Sequence, residues 1–128
     1  MRLGRPVFLT RGNRGMLVCD PDGLWEIPGI RLRGPVDPVG AGDAAFAGIS
    51  LGLAAGCAPP VAAQLGNLAA AVTVRKLKQT GTASPAEVLA MAREQRDADA
   101  VEPGGGDRAS GRAGAGRRAG ARRETDAR

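Results

Sequence analysis

The sequence predicts an α/β fold: short strands, then three helices, then a disordered C-terminal tail. Three observations predict it. Short apolar runs separated by turn-forming residues occupy the first quarter of the chain. Residues 42–55 form an apolar run of helical length, and from Val61 apolar residues recur at helical spacing. The last 27 residues, 102–128, hold seven Gly, seven Arg and six Ala, and no Val, Ile, Leu, Phe or Trp. Such a segment cannot bury enough apolar surface to offset its ordering entropy. The chain is therefore divided into a folded part, residues 1–101, and a tail, residues 102–128. About 100 residues suffice for one small core.

The strands come first. Val7-Phe8-Leu9-Thr10 reads as a short buried strand. Arg11-Gly12-Asn13-Arg14-Gly15 is a turn by composition. Met16-Leu17-Val18-Cys19 is a second apolar run, closed by the turn signal Asp20-Pro21-Asp22-Gly23. Leu24-Trp25-Glu26-Ile27 alternates as a half-buried strand does. Pro28-Gly29 breaks this meander, and residues 30–36 read as one more extended segment, bounded by Pro35 and Pro38. Cys19 and Cys57 are expected as small buried hydrophobes, and Trp25 as a core residue or an exposed hairpin aromatic.

The helices follow. Residues 42–55 have helical length and are apolar nearly all round, which predicts a buried helix, and Gly56 suits the position just past its end. Pro59-Pro60 open a second helix, in which Val61, Leu65, Leu68 and Val72 recur at helical spacing. Arg75, Lys76 and Lys78 favour its C-terminal end through the helix dipole. Ser84-Pro85-Ala86-Glu87 forms a capping box with Pro in the first turn, starting a third helix that fades near Ala100. No internal repeat is visible.

Composition excludes some chemistry. Histidine is absent, so neither a Ser-His-Asp nor a Cys-His mechanism nor an imidazole zinc site can be built within the chain. Two distant cysteines make no C-x-x-C pair and no disulfide framework. The net charge is +5, of which the tail supplies +3 through seven Arg against four acids. An Arg-rich tail can attract phosphate; this one lacks aromatics for base stacking and its charge is diluted by acids, which weighs against nucleic acid as a partner. Residues 39–57 carry one charge, Asp43, with Gly48, Gly52 and Gly56 at four-residue spacing. A membrane span there would place an Asp near the bilayer centre, at a cost of about 3 kcal/mol. A buried helix of a non-membrane protein fits better. The N-terminus has no signal-peptide core, which points to the cytoplasm.

The segment that carries chemistry is Val36-Asp37-Pro38-Val39-Gly40-Ala41-Gly42-Asp43. A glycine-rich loop runs into a helix N-terminus, where free N–H groups and the dipole favour an anion such as phosphate. Gly40 and Gly42 allow close backbone approach. Asp43 would repel phosphate, so its sensible role is to accept a proton from a hydroxyl attacking it. The plainer alternative is an Asp favoured at a helix start beside an ordinary Gly-rich turn. Gly40, Gly42 and Ala45 also fit a dinucleotide fingerprint, but Pro35 and Pro38 spoil the preceding strand, and no acid occurs between Asp43 and Glu87. The P-loop pattern is absent.

Asp37-Pro38-Val39-Gly40-Ala41-Gly42-Asp43-Ala44, followed by Phe46 and Gly48, resembles the C-terminal signature of the ribokinase-like (PfkB) carbohydrate kinases, D-[TP]-x-G-A-G-D. Thr10-Arg11-Gly12-Asn13-Arg14-Gly15 resembles the family's T-x-G-x-x-G nucleotide-binding turn, and Asn67 matches an Asn near the adenine. Residues 76–85 resemble the heptose-phosphate kinase branch, while the Asp-Pro-Val opening also occurs in ketodeoxygluconate-kinase-like members. The resemblance implies ATP-dependent phosphorylation of a sugar or sugar-phosphate hydroxyl. Asp43 would be the general base, and Gly40, Ala41 and Gly42 the anion hole. Thr10, Gly12, Gly15 and Asn67 would hold the nucleotide. Asp37 and the Val39 carbonyl would match a monovalent-cation site, for which K+ is the candidate, and Mg2+ would accompany ATP. Each has a plainer alternative: Thr10 as a strand end, Asn67 as a satisfied polar group, Asp37 as a turn former before Pro.

The resemblance spans about residues 6–95 and implies the C-terminal part of a doubly wound fold. The family's sugar-binding region, lid and N-x-x-E motif do not appear. The chain is accordingly expected to be a truncated product and an inefficient kinase alone, because positioning supplies much of phosphoryl-transfer catalysis. An exposed sheet edge is expected to promote dimerisation or association with a partner. The alternatives are a non-catalytic fragment that binds nucleotide or a partner, and an Arg-rich nucleic-acid-binding protein.

Overall fold

A computed structural model describes residues 4–79, 81–101 and 117–118. Strands β1 (Val7–Thr10), β2 (Met16–Asp20) and β3 (Gly23–Ile27) form an antiparallel meander. Helices α1 (Ala41–Ala54), α2 (Pro59–Val74) and α3 (Pro85–Val101) follow. The expected order of strands, then helices, is the observed one. The doubly wound expectation concerns a larger sheet than this antiparallel one. The tail expected to be disordered lies outside the described residues, except for Arg117–Arg118. Those two form a short strand, β4, antiparallel to β3 opposite Glu26 and Trp25, so the sheet order is β1-β2-β3-β4.

Alternation decides which sheet face is buried. Phe8, Met16, Val18, Trp25 and Ile27 turn inward, and Met16, Val18 and Ile27 are fully buried. Val7, Leu9, Cys19 and Leu24 occupy the other face and stay exposed. Cys19 is thus exposed and Cys57 half-buried, both free, contrary to the expectation that both are buried. The cause is period: Cys19 follows inward Val18 by one residue and must point outward. The β2–β3 turn is held by Asp20 Oδ1, which accepts the N–H groups of Asp22 and Gly23 (both 2.9 Å) and the indole N–H of Trp25 (3.2 Å).

The helix α1 is buried on one side only, which corrects the expectation of an all-round buried helix. Its small residues Ala45, Gly48 and Gly52, with Ile49, face α2, while Phe46 (72 % exposed) and Leu51 (65 %) face outward. Backbone proximity chooses the small side. A Cβ at Gly48 would lie 2.9 Å from Gly66 Cα, and one at Gly52 2.9 Å from Ala62 Cα. Gly56, the third of the spaced glycines, ends α1 instead: it has φ +83°, its N–H donates to Leu53 O (3.0 Å) and the Cys57 N–H to Gly52 O (2.9 Å). This is a Schellman closure.

Residues 30–36 form no strand, although an extended segment was expected there. Pro28, Gly29, Gly34 and Pro35 frame it and no ladder partner exists among the described residues. Ile30 and Leu32 pack instead on a second core of Ala71, Val72 and Met91 between α2 and α3. The helix α3 starts as expected: Glu87 Oε2 accepts the Ser84 N–H (2.8 Å), and Ser84 Oγ accepts the Glu87 N–H (3.3 Å). Arg75 grips Glu94 through both terminal nitrogens (2.8 and 2.7 Å), and Lys76 pairs with Glu87 (2.8 Å). Hydrogen bonding to Lys76 first, then to Ser84, holds the Glu87 carboxyl at about 2; Arg75 likewise lowers that of Glu94. Among the described residues no helix is long and apolar enough to cross a membrane.

Candidate active site

The 37–43 segment is fastened to the C-terminal end of α2. The Asp37 N–H donates to Val74 O (2.8 Å), one of the carbonyls a helix leaves unpaired at its end. The Asp37 carboxylate accepts the Val39 N–H at Oδ1 (3.1 Å) and, at the limit of a hydrogen bond, the Lys78 N–H at Oδ2 (3.4 Å). Lys78 offers that N–H from a left-handed backbone, φ +57°. Gly40 caps α1 with φ +81°, which favours glycine, and a Cβ there would sit 3.7 Å from the methyl of buried Thr73.

Three consecutive positions then differ. The Ala41 N–H is engaged by Pro38 O (3.2 Å), whereas the N–H groups of Gly42 and Asp43 have no backbone acceptor. A Cβ at Gly42 would meet nothing within 4 Å. Asp43 lies exposed in the first turn of α1 and takes part in none of the ion pairs among the described residues. The result is an open helix N-terminus with free donors and a solvent-facing carboxylate beside them.

The 10–15 turn is built separately. Thr10 ends β1 opposite Met16 and is exposed. Gly12 begins a single 3₁₀ turn, Gly12–Arg14, at φ +59° with open space around it. Gly15 (φ +87°) is buried, and a Cβ would fall 2.1 Å from Ile27 O. The Arg11 N–H donates to Gly15 O (2.8 Å), and its guanidinium reaches Glu26 (2.6 Å), while its Nε is buried without a partner.

Asn67 sits on α2 and is 8 % exposed, with its Nδ2 donating to Pro28 O at 3.0 Å. Pro28 and Gly29 carry the chain past the 10–15 turn, since a Cβ at Gly29 would lie 2.1 Å from Asn13 O. Asn67 and the 10–15 turn therefore meet through this corner. The 40–43 loop meets α2 at Thr73, six residues further on, about 9 Å along the axis at 1.5 Å per residue. Sequence reasoning missed Arg11, Gly29, Thr73 and Lys78. Gly29 was legible only as a breaker, and a positive φ at a lysine leaves no sequence signal.

The sequence pattern of the pfkB family carbohydrate kinases matches residues 2–87. The chain is 39 % identical over 95 residues to the bifunctional protein HldE of Trichlorobacter lovleyi, a match covering 73 % of this chain and 19 % of that protein. It is 38 % identical over 73 residues to an inositol 3-kinase of Arabidopsis thaliana, covering 57 % and 20 %. Among solved structures, the ligand-free Burkholderia thailandensis nucleoside kinase matches at TM-score 0.61 and 31 % identity, over 67 % of this chain and 29 % of that one. The Thermotoga maritima ribokinase matches at TM-score 0.64 and 26 % identity, over 70 % and 30 %. The fold is that of part of a ribokinase-like kinase. The chain belongs to the pfkB family of carbohydrate kinases, and it spans about a fifth of the length of the curated relatives it matches.

Proposed function

We propose that the chain is the nucleotide-binding and phosphoryl-transfer portion of an ATP-dependent kinase acting on a sugar or sugar-phosphate hydroxyl. The observation that carries this is the open N-terminus of α1, where free N–H groups of Gly42 and Asp43 adjoin an exposed carboxylate. The acceptor hydroxyl loses its proton to Asp43 as its oxygen attacks the γ-phosphorus of ATP. The phosphorus–oxygen bond to ADP breaks, and ADP leaves with that electron pair. The free amides of Gly42 and Asp43 would meet the charge on the transferring group, with Gly40 allowing the backbone to come close. Ala41 contributes through the dipole, because Pro38 already holds its N–H. Thr10, Gly12 and Gly15, with Asn67, form the nucleotide side.

Asp37 and the Val39 carbonyl suit a monovalent cation such as K+. The Asp37 carboxylate is fixed by two amides and keeps lone pairs to offer. No group of three His, Cys, Asp or Glu among the described residues could hold a metal. Mg2+ would therefore arrive with the ATP phosphates, whose charge it neutralises. A second reading is nucleotide or partner binding without turnover.

Calorimetric titration with ATP and Mg2+ tests the reading. Wild type and Asp43→Asn should bind alike, while Asp43→Asn should lose phosphoryl transfer, scored with sugars and sugar phosphates as acceptors. A folded wild type that does not bind ATP overturns it. Binding without transfer in the wild type selects the second reading.

A further inference from the structure

We infer that Asn67 and Gly29 are positioning residues, which together set the 10–15 turn on the helical layer, and that Asn67 does not act by touching the base. The inference rests on the nucleotide reading of that turn. Asn67 is buried on α2, and one of its two amide hydrogens is held by Pro28 O at 3.0 Å, which ties the side chain to this corner. The next residue, Gly29, is where the turn comes to rest. A Cβ there would lie 2.1 Å from Asn13 O, 2.9 Å from Asn13 C and 2.9 Å from Gly15 N. Gly15 closes the same joint from the other side, 2.1 Å from Ile27 O and 2.5 Å from Gly29 N by the same measure. Two backbones thus interlock where neither can carry a side chain, and Asn67 is the side chain pinning one of them to α2.

A hydrogen bond from a buried amide fixes direction as well as distance. The Asn67 bond holds the Pro28 carbonyl, and the close Gly29–Asn13 approach restricts the corner further. The same α2 carries Thr73 under Gly40. The two proposed halves of the site, nucleotide turn and phosphate loop, are thereby referred to one rigid helix. Loss of either Asn67 or Gly29 releases one half while leaving the other in place.

The test uses the full chain with Asn67→Ala, Gly29→Ala and the double variant. Two readouts are taken: ATP affinity by calorimetry, and hydrogen exchange at the Arg11 and Gly15 amides, bonded to Gly15 O and Gly12 O. The Val88 amide, bonded to Ser84 O, is the reference for general unfolding. Gly29 has no positive φ, so alanine there disturbs the contact with the turn and not its own backbone. Each single variant should weaken ATP about tenfold and speed turn exchange at least tenfold relative to Val88. The double variant should be no worse than the worse single one, because both act through one joint.

Additive losses of affinity, with exchange at the turn unchanged in Asn67→Ala, would mean direct contact with the base and overturn the inference. Equal acceleration at Val88 and at the turn would mean a merely structural role and also overturn it. If the wild type binds no ATP, the nucleotide reading fails by itself. Faster exchange confined to the turn would then still support the positioning role, and unchanged exchange would refute it.

Discussion

Gly48→Ala sets two known effects against each other at the α1–α2 contact. Alanine in place of a helical glycine favours the helix by about 1 kcal/mol. Against this, the new Cβ would lie 2.9 Å from Gly66 Cα, 3.0 Å from Leu65 O and 3.1 Å from Gly66 N. All three are backbone atoms of α2, so no side-chain rotation relieves the contact. Reaching ordinary contact near 3.4 Å requires the helices to part by about 0.5 Å. A gap of that size forfeits about a quarter or more of each dispersion contact across the joint, where Ala45, Ile49, Ala62 and Ala63 are buried. Overpacking costs about 1–3 kcal/mol, and with only backbone atoms to give way the cost here is about 2–3 kcal/mol. The clash wins, with a net destabilisation of about 1–2 kcal/mol, which for about 100 folded residues lowers Tm by roughly 4–16 °C. Thermal unfolding followed by circular dichroism reads the shift. A variant as stable as wild type, or more so, would refute the close approach of α1 to α2.

Gly42→Ala should behave oppositely: its Cβ meets nothing within 4 Å, so stability should hold within about 0.5 kcal/mol or rise. ATP affinity should fall, because the methyl enters the proposed phosphate space; unaltered calorimetric affinity would count against that placement. The Glu87 carboxyl, held at about 2 by Lys76 and Ser84, should titrate there by carbon-detected NMR. A depressed folded-state value contributes stability above the ordinary value of 4.5, and this is lost as pH falls from 4.5 towards 2. Lys76→Met should return the midpoint towards 4.5, and a wild-type midpoint near 4.5 would show that the ion pair does not form in solution. The effect should also weaken in high salt, since both groups are partly exposed.

Much of this was legible in the sequence wherever a signal is local. The strand meander, the Gly56 helix stop and the Ser84–Glu87 cap each depend on residues within a few positions, and each formed as expected. What failed needed a partner. Residues 30–36 had extended composition but, among the described residues, no strand to pair with. The helix α1 was apolar all round, yet burial went to the side with least side chain, because only Ala and Gly admit a second helix so closely. The three spaced glycines Gly48, Gly52 and Gly56 therefore divide between packing and termination. The 40–43 loop was found by its motif. That Pro38 takes the Ala41 N–H could not be, since it depends on the conformation of the turn.

Three anchors converge on α2. Asn67 fixes the Pro28 carbonyl, Thr73 lies against Gly40, and Val74 receives the Asp37 N–H. These anchors fall within eight consecutive residues of one helix, so their separations are set by helical rise rather than by loop conformation. Phosphoryl transfer depends on placing donor and base within a fraction of an ångström. Flexible Gly-rich segments cannot hold such a placement alone, because glycine adds conformational freedom where precision is needed. Here each segment is fixed to the same rigid helix, which reconciles mobile composition with exact placement. The glycines give the backbone its reach, and α2 determines where that reach ends.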